Sequence, residues 1–194
     1  MATLCCRRTA NRGACFSEDG RYRYALWRRW KKSGPWVTFL MLNPSLATVD
    51  HSDPTVKRCE AFSRSWNCAG IEVVNVFALV SPHPTALHGR RNPVEHEPGR
   101  NDEHINRAAD RSDLIIAAWG INVAHPTFAK RMVAIQALLK NRDIRALRIT
   151  KDGHPSHPLY LPATRTPEPY AMRPSCVPAP GEARAGNGTS NKRR

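Results

Sequence analysis

The chain has 194 residues, of which 41% are hydrophobic, and this length suits one domain flanked by tails. It holds no run of about 18 apolar residues and no apolar segment after its N-terminal arginines, which argues against a transmembrane helix and a secretory signal. The net charge of +14 is concentrated at the two ends, where it can attract phosphates or simply keep the tails solvated. We therefore expect a cytoplasmic protein with no membrane partner. Nucleic acid or a nucleotide is a candidate partner, and the oligomeric state is open.

The N-terminal part carries two different patterns. Residues 1–20 show little periodicity, and we expect a basic, loosely ordered segment there. Residues 21–30 alternate arginines with aromatic side chains, which is typical of a half-exposed edge strand with its arginines in solvent. The six cysteines of the chain show no C-x-x-C spacing. They favour free thiols in a reducing cytoplasm over a disulfide framework or a zinc site.

The central element is the run from Val37 to Leu42, which predicts a strand buried on both faces. It ends at Asn43-Pro44, because proline has no N–H for the sheet and biases the preceding residue away from helix. Asp53 then predicts a helix N-cap, with proline at the first helical position. The helix runs to about residue 66, with apolar side chains recurring every three or four positions.

The rest of the chain alternates strands and helices. Strands are predicted at 71–77, 114–119 and 145–150, and helices at 99–110 and 128–140. Residues 81–98 predict a long loop of the kind that often carries function. This alternation predicts a three-layer α/β/α fold with a mostly parallel central sheet. We expect one domain over 21–165 and a disordered basic tail over 166–194.

Polar or special residues follow each buried strand of the predicted sheet. Because the carboxyl ends of parallel strands share one edge, these residues are expected to line one pocket there. The candidates are Asn43, Pro44 and Ser45 after the first strand, Asn75 and Phe77 in the second, Trp119 and Gly120 after the third, and Lys151 and His154 after the last.

Two of these positions, and Asp53 at the start of the first helix, have a structural reading beside the functional one. Asn75 either pins a neighbouring loop or offers a donor and an acceptor to the edge of a heterocycle. His154 either belongs to the pocket or is a surface loop histidine with a structural hydrogen bond. Asp53 is either only a helix cap or also a carboxylate that orients water. The indole N–H of Trp119 is expected to be bonded at the end of its strand.

Several kinds of chemistry lack their sequence signature. His154 and His157 are three residues apart on a loop interrupted by proline, without a third ligand, so we predict no metal site. Ser45 lacks the G-x-S-x-G setting of a nucleophilic serine. Neither a Walker A nor a G-x-G-x-x-G motif is present. We therefore predict no cofactor.

Five motifs in order resemble the bacterial and phage domain-of-unknown-function 1643 family. They are Met41-Leu-Asn-Pro-Ser45, Asp53-Pro-Thr-Val-Lys-Arg58, Val73-Val-Asn-Val-Phe77, Ala118-Trp-Gly120 and Thr150-Lys-Asp-Gly-His-Pro-Ser-His-Pro-Leu-Tyr160. The resemblance covers about residues 21–162. It brings little established activity.

A more distant resemblance is to the uracil-DNA glycosylase superfamily, on Asn43-Pro44, Asn75 and His154-Pro155-Ser156. It implies a glycosylase-like fold in which Asn43, with Asp53, positions water, Asn75 reads the base edge and His154 supports the leaving base. Leu42 stands where many members have a small residue, and His157 interrupts the late loop. Ser156 and His157 complete the candidate substrate-binding residues.

The leading hypothesis is thus a nucleic-acid- or nucleobase-directed hydrolase of glycosylase type. Two alternatives stay open. One is a non-catalytic module that binds a nucleotide or modified base, and the other is a different small-molecule hydrolase or transferase on the same pocket.

Overall fold

The structure is a computed structural model that describes residues 5–9, 11–87, 93–95 and 97–172. Its strands form one sheet and its helices pack on both faces of that sheet. The strands are β1 (Cys5–Arg8), β2 (Arg12–Phe16), β3 (Arg23–Arg29), β4 (Trp36–Met41), β5 (Gly70–Asn75), β6 (Leu114–Ala117), β7 (Ile144–Ala146) and β8 (Glu168–Pro169). The helices are α1 (Pro54–Ser65), α2 (Arg100–Arg111) and α3 (Ala129–Leu138).

The sheet has the order β1-β2-β3-β5-β4-β6-β7-β8 and is mixed. The four strands from β5 to β7 are parallel, whereas β1, β2, β3 and β8 are joined to their neighbours in antiparallel fashion. The α/β class is therefore confirmed, but a mostly parallel sheet is wrong, because four of the seven pairings in the described chain are antiparallel. The parallel centre still brings the carboxyl ends of β4, β5 and β6 to one edge.

Helix α1 forms where the sequence predicts it. Asp53 is its N-cap and accepts a hydrogen bond from the N–H of Val56 at 2.9 Å, and Pro54 begins the helix. Its apolar side, including Cys59 and Phe62, packs on the face of the sheet that carries Phe39. We call this the α1 face.

Helices α2 and α3 cover the opposite face, which we call the α2 face. Ile105 from α2 and Ile135 from α3 are both buried there against Leu40 and Val74 of the sheet. Neighbouring residues of β4, Phe39 and Leu40, thus enter different cores, as expected for a strand buried on both sides.

Strand β3 corrects the prediction of an edge strand with solvated arginines. It lies between β2 and β5, and the side chains of Arg23 and Arg28 are only 2% and 8% exposed. In a regular strand, residues five positions apart point to opposite faces. Both arginines nevertheless donate hydrogen bonds to residues 47–52 on the α1 face. The pairing with β2 shifts so that Phe16 lies opposite Arg23, and this irregularity turns Arg23 to the α1 face.

The N-terminal segment is also more ordered than predicted. Strands β1 and β2 form an antiparallel hairpin that extends the sheet beyond β3. Cys6 and Cys15 face each other across the hairpin and form a disulfide, which corrects the expectation of free thiols for this pair. Cys59 and Cys68 are free and buried. Residues 1–4 and 10 lie outside the described chain.

The loop and the tail are partly described. The loop over 81–98 contains a short 3-10 helix at Pro84–Leu87, and its residues 88–92 and 96 lie outside the description. Of the tail, Glu168–Pro169 forms β8 against β7, so the first part of the segment expected to be disordered belongs to the sheet. Residues 173–194 lie outside the described chain. Within the described ranges, no helix is long and apolar enough to cross a membrane.

His104 on α2 makes stability depend on pH. Its ring stacks on Tyr24, with centroids 5.4 Å apart. Burial, followed by Arg107 and Arg100, lowers its pKa to about 4. A histidine in the unfolded chain titrates near 6.5, so only the unfolded state gains a proton as the pH falls from 6.5 to 4. We expect this group alone to lower the free energy of unfolding by about 3 kcal/mol across that window.

The measurement is urea unfolding of the wild type and of His104→Phe, which keeps an aromatic stack, at pH 7 and pH 4.5. The phenylalanine variant should lose less stability than the wild type on acidification. Equal losses in the two proteins would show that His104 does not carry the effect.

Candidate functional site

A cavity of about 560 Å³ opens at the carboxyl ends of the central parallel strands, on the α1 face. This volume lies in the range of small-molecule sites. The register of the parallel pair β4 and β5 brings their carboxyl ends together, because Met41 at the end of β4 lies opposite Asn75 at the end of β5. Eight of the predicted site residues line the cavity: Asn43, Ser45, Asp53, Asn75, Trp119, Gly120, Ser156 and His157.

Asn43 closes the turn after β4 and is part of the cavity wall. Its side-chain nitrogen donates to the carbonyl oxygen of Ser81 at 2.9 Å and to that of Pro44 at 3.0 Å. These bonds tie the turn to the start of the long loop. The amide nitrogen is therefore occupied by structure, and the side-chain oxygen is the atom of Asn43 suited to orient a ligand or water.

Asp53 serves as a cap and also belongs to the cavity. One carboxylate oxygen, Oδ1, accepts the Val56 N–H, and the residue is 6% exposed. Burial lowers the pKa of both Arg23 and His157, and the nearby charge of Asp53 partly offsets this effect in each. A buried carboxylate between a cation and an imidazole can accept a proton or orient water.

Asn75 ends β5 and is fully buried. Within the described chain, neither its Nδ2 nor its Oδ1 has a hydrogen-bond partner. Leaving a buried polar group unpaired costs about 1–3 kcal/mol. Since both atoms belong to a residue that lines the cavity, a bound ligand is a natural partner for this amide. The backbone at this point is instead tied to α2 by Asn101, whose side-chain nitrogen donates to the carbonyl oxygen of Asn75 at 3.0 Å.

Trp119 and Gly120 form the wall after β6. The Trp119 indole was predicted to be hydrogen-bonded, but its Nε1 has no partner in the described chain and is buried beside the cavity. Gly120 has φ 75° and ψ −174°, a conformation that glycine alone adopts readily. A Cβ at this position would lie 3.4 Å from Cβ of His157, in van der Waals contact with it. Glycine thus suits the backbone conformation at which the wall after β6 meets the last loop.

His157 is the histidine of the last loop that lines the cavity. Its Nδ1 accepts the backbone N–H of Leu159 at 3.3 Å, where it caps the 3-10 helix at Pro158–Tyr160. In the neutral ring the proton is therefore on Nε2. Burial lowers the pKa of His157, and Asp53 partly offsets this effect. Near pH 7 the ring is a neutral hydrogen-bond donor.

Four predicted residues do not line the cavity. His154 lies in a turn closed by hydrogen bonds with Thr150, next to the exposed Lys151. Phe77 packs in the core of the α2 face, with its ring 4.6 Å from that of Phe128. Pro44 is buried behind the turn, where its carbonyl oxygen accepts from Ser81 N–H at 2.9 Å. His157, and not His154, thus supplies the imidazole of the cavity.

Two residues that line the cavity, Arg23 and Arg148, were not among the predicted site residues. The alternating pattern of residues 21–30 predicted that Arg23 is exposed to solvent. Arg148 follows β7 without a recognisable motif. Four of the five strongly exposed large hydrophobic side chains in the described ranges also surround the mouth of the cavity. This apolar rim consists of Leu46, Ile121, Leu159 and Tyr160.

No group of three or more His, Cys, Asp or Glu side chains that could hold a metal ion occurs among the residues that the structure describes. The polar groups that line the cavity include amides, one carboxylate, guanidinium groups and an imidazole.

The fold and site define a mixed α/β protein with a ligand-sized cavity at the carboxyl ends of its parallel strands. The family model described as "Protein of unknown function (DUF1643)" matches residues 23–159, so the chain belongs to this family. Comparison with curated proteins and with solved structures gives no match.

Proposed function

We propose that the protein binds a nucleobase in this cavity and hydrolyses its N-glycosidic bond. The observation that carries the proposal is the unpaired, buried amide of Asn75. A side-chain amide offers a donor and an acceptor side by side, which matches the hydrogen-bonding edge of a nucleobase. The order of Asn43-Pro44 and Asn75 along the chain, which resembles the motif order of the uracil-DNA glycosylase superfamily, supports the same reading by analogy alone.

The other side chains fit the steps of such a hydrolysis. Water oriented by the Asn43 side-chain oxygen and the Asp53 carboxylate would add its oxygen to the sugar C1′. The C1′–N bond breaks with its electron pair going to the base, and Asp53 takes the proton from the water. His157, as a neutral donor through Nε2, would stabilise negative charge on a carbonyl oxygen of the leaving base. We thus assign to His157 the role of supporting the leaving base, which the sequence had suggested for His154.

The apolar rim favours a base within a nucleic acid over a free nucleoside. Exposed apolar side chains clustered at one place mark a contact surface. Leu46, Ile121 and Tyr160 are each more than 60% exposed and come from three different loops. A polymer whose target base enters the cavity would cover them.

The test is release of free base, read by mass spectrometry, from oligonucleotides that carry uracil, hypoxanthine or oxidised bases. We expect His157→Ala and Asn43→Ala to lower the rate about 100-fold or more. His154→Ala is the matched control from the same loop and should keep the wild-type rate.

Loss of activity in His154→Ala with an unaffected His157→Ala would overturn these roles. Binding of a modified base without any released product would favour the non-catalytic module. A different product from a nucleoside or nucleotide would favour another hydrolase or transferase.

A further inference from the structure

Arg23 is a buried cation in the wall of the cavity. Its side chain is 2% exposed, and its residue lines the same space as Asn75. Nη1 donates to the carbonyl oxygen of Ala47 at 2.7 Å, whereas Nε is buried without a partner in the described chain. Arg23 therefore has hydrogen-bonding capacity that the described protein does not use.

The charge of Arg23 is also incompletely balanced. None of the ion pairs found among the described residues involves it. Asp53 acts on it only through space and is itself the cap of α1. Burial lowers the pKa of Arg23 to about 10, which leaves the guanidinium charged at neutral pH. A buried charge without a partner is costly, so such a group calls for an anion.

An anchoring role alone does not account for Arg23. The segment 47–52 is already held by Arg28, which donates to the carbonyl oxygen of Thr48 at 2.6 Å and to the hydroxyl of Ser52 at 3.2 Å. Arg23 adds one bond to this segment, at Ala47. Its remaining donors belong to a side chain in the cavity wall.

Two further features of the same wall favour negative charge. Arg148 lines the cavity and is exposed. The first turn of the 12-residue helix α1 also faces the cavity, through Pro54 and Thr55, and a helix N-terminus carries partial positive charge. With His157 neutral, the ionisable lining holds two cations and one carboxylate, Asp53.

We propose that the cavity holds an anionic phosphate group of its ligand at Arg23, beside the base-reading amide of Asn75. The ligand is then a nucleotide unit, either a free nucleoside monophosphate or a residue of a nucleic acid strand. Recognition of the base half depends on the proposed function, whereas the phosphate site stands independently of it.

The experiment is calorimetric titration of the full chain at low and moderate salt. The probes are the four ribonucleosides, their 5′-monophosphates, ribose 5-phosphate, inorganic phosphate and a short single-stranded oligonucleotide. We expect at least one monophosphate to bind about 10-fold or more tightly than its nucleoside, with the preference shrinking at higher salt. Tight binding of the oligonucleotide but not of monophosphates would identify the phosphate source as a strand.

Arg23→Gln and Arg148→Gln should each remove most of this preference. Arg107→Gln, at an exposed position of α2 outside the cavity lining, should leave it intact. If Arg23→Gln fails to fold, as shown by thermal unfolding, Arg148→Gln alone decides. Equal binding of nucleosides and monophosphates, together with oligonucleotide binding that Arg23→Gln and Arg148→Gln leave unchanged, would overturn the proposal, and so would no binding of any phosphate-bearing probe. Phosphate preference without base release would retain this site and refute the glycosylase activity, while base release without phosphate preference would do the reverse.

Discussion

Replacing Asn75 by leucine is expected to stabilise the fold and to abolish recognition of the base. The amide is fully buried, and neither polar atom has a partner in the described chain. Leucine has a similar size and fits the apolar core beside Val73, so the free energy of unfolding should rise by about 1–3 kcal/mol. Base release or base binding should fall at least about 100-fold, because the donor and the acceptor are lost together. Urea unfolding and a binding or release assay measure the two effects.

Asn101→Leu is the matched control, since Asn101 is also fully buried. Its side-chain nitrogen donates to the carbonyl oxygens of Asn75 and Val76. Leucine would leave these carbonyl oxygens without that donor, so stability should fall by about 1–3 kcal/mol. Destabilisation by Asn75→Leu of the same size as by Asn101→Leu would mean that the Asn75 amide is a structural bond and not a ligand contact.

Asp53→Asn is expected to keep the helix N-cap and to lose the carboxylate that the proposed hydrolysis needs. Asparagine keeps a side-chain oxygen for the Val56 N–H and is as good an N-cap as aspartate. The variant loses the charge that raises the pKa of Arg23 and His157. Base release should therefore fall about 100-fold or more, and the pKa of His157, followed by NMR, should fall further.

Asp53→Ala is the comparison variant. It lacks the cap as well, so it should be less stable than Asp53→Asn by about 1 kcal/mol in chemical unfolding. An unchanged rate in Asp53→Asn, with a loss only in Asp53→Ala, would reduce Asp53 to a helix cap.

The central elements were predictable because their signals are local. The apolar run before Asn43 and the Asp53-Pro54 pair predict β4 and α1, and both are found. The shared edge of the parallel strands followed from the alternation of elements, and it correctly brought Asn43, Asn75 and Trp119 to one cavity.

The features that the sequence did not predict depend on pairing between strands that are distant along the chain. The neighbours of β3 are β2 and β5, and nothing in the pattern of residues 21–30 reveals that both flank it. The irregular pairing that turns Arg23 inward is likewise a property of two strands together. The hairpin β1–β2 is made of strands of four and five residues, too short for a clear period of their own.

The choice between two histidines shows the same limit. His154 and His157 stand in one loop, and the motif order favoured His154. The turn closed by Thr150 and His154 takes the first imidazole away from the cavity, and the 3-10 helix at Pro158–Tyr160 fixes the second beside it. Hydrogen bonds within the loop decided the outcome, and a motif does not encode them.

The N-terminal hairpin lies outside the matched range of the family, which begins at residue 23, at the first residue of β3. Without this hairpin, β3 would present a row of unsatisfied amide and carbonyl groups to any passing chain, a template for edge-to-edge self-association. The hairpin covers this edge of β3 and makes the four-residue strand β1 the outer edge of the sheet, and a very short edge strand offers little length for pairing with another chain.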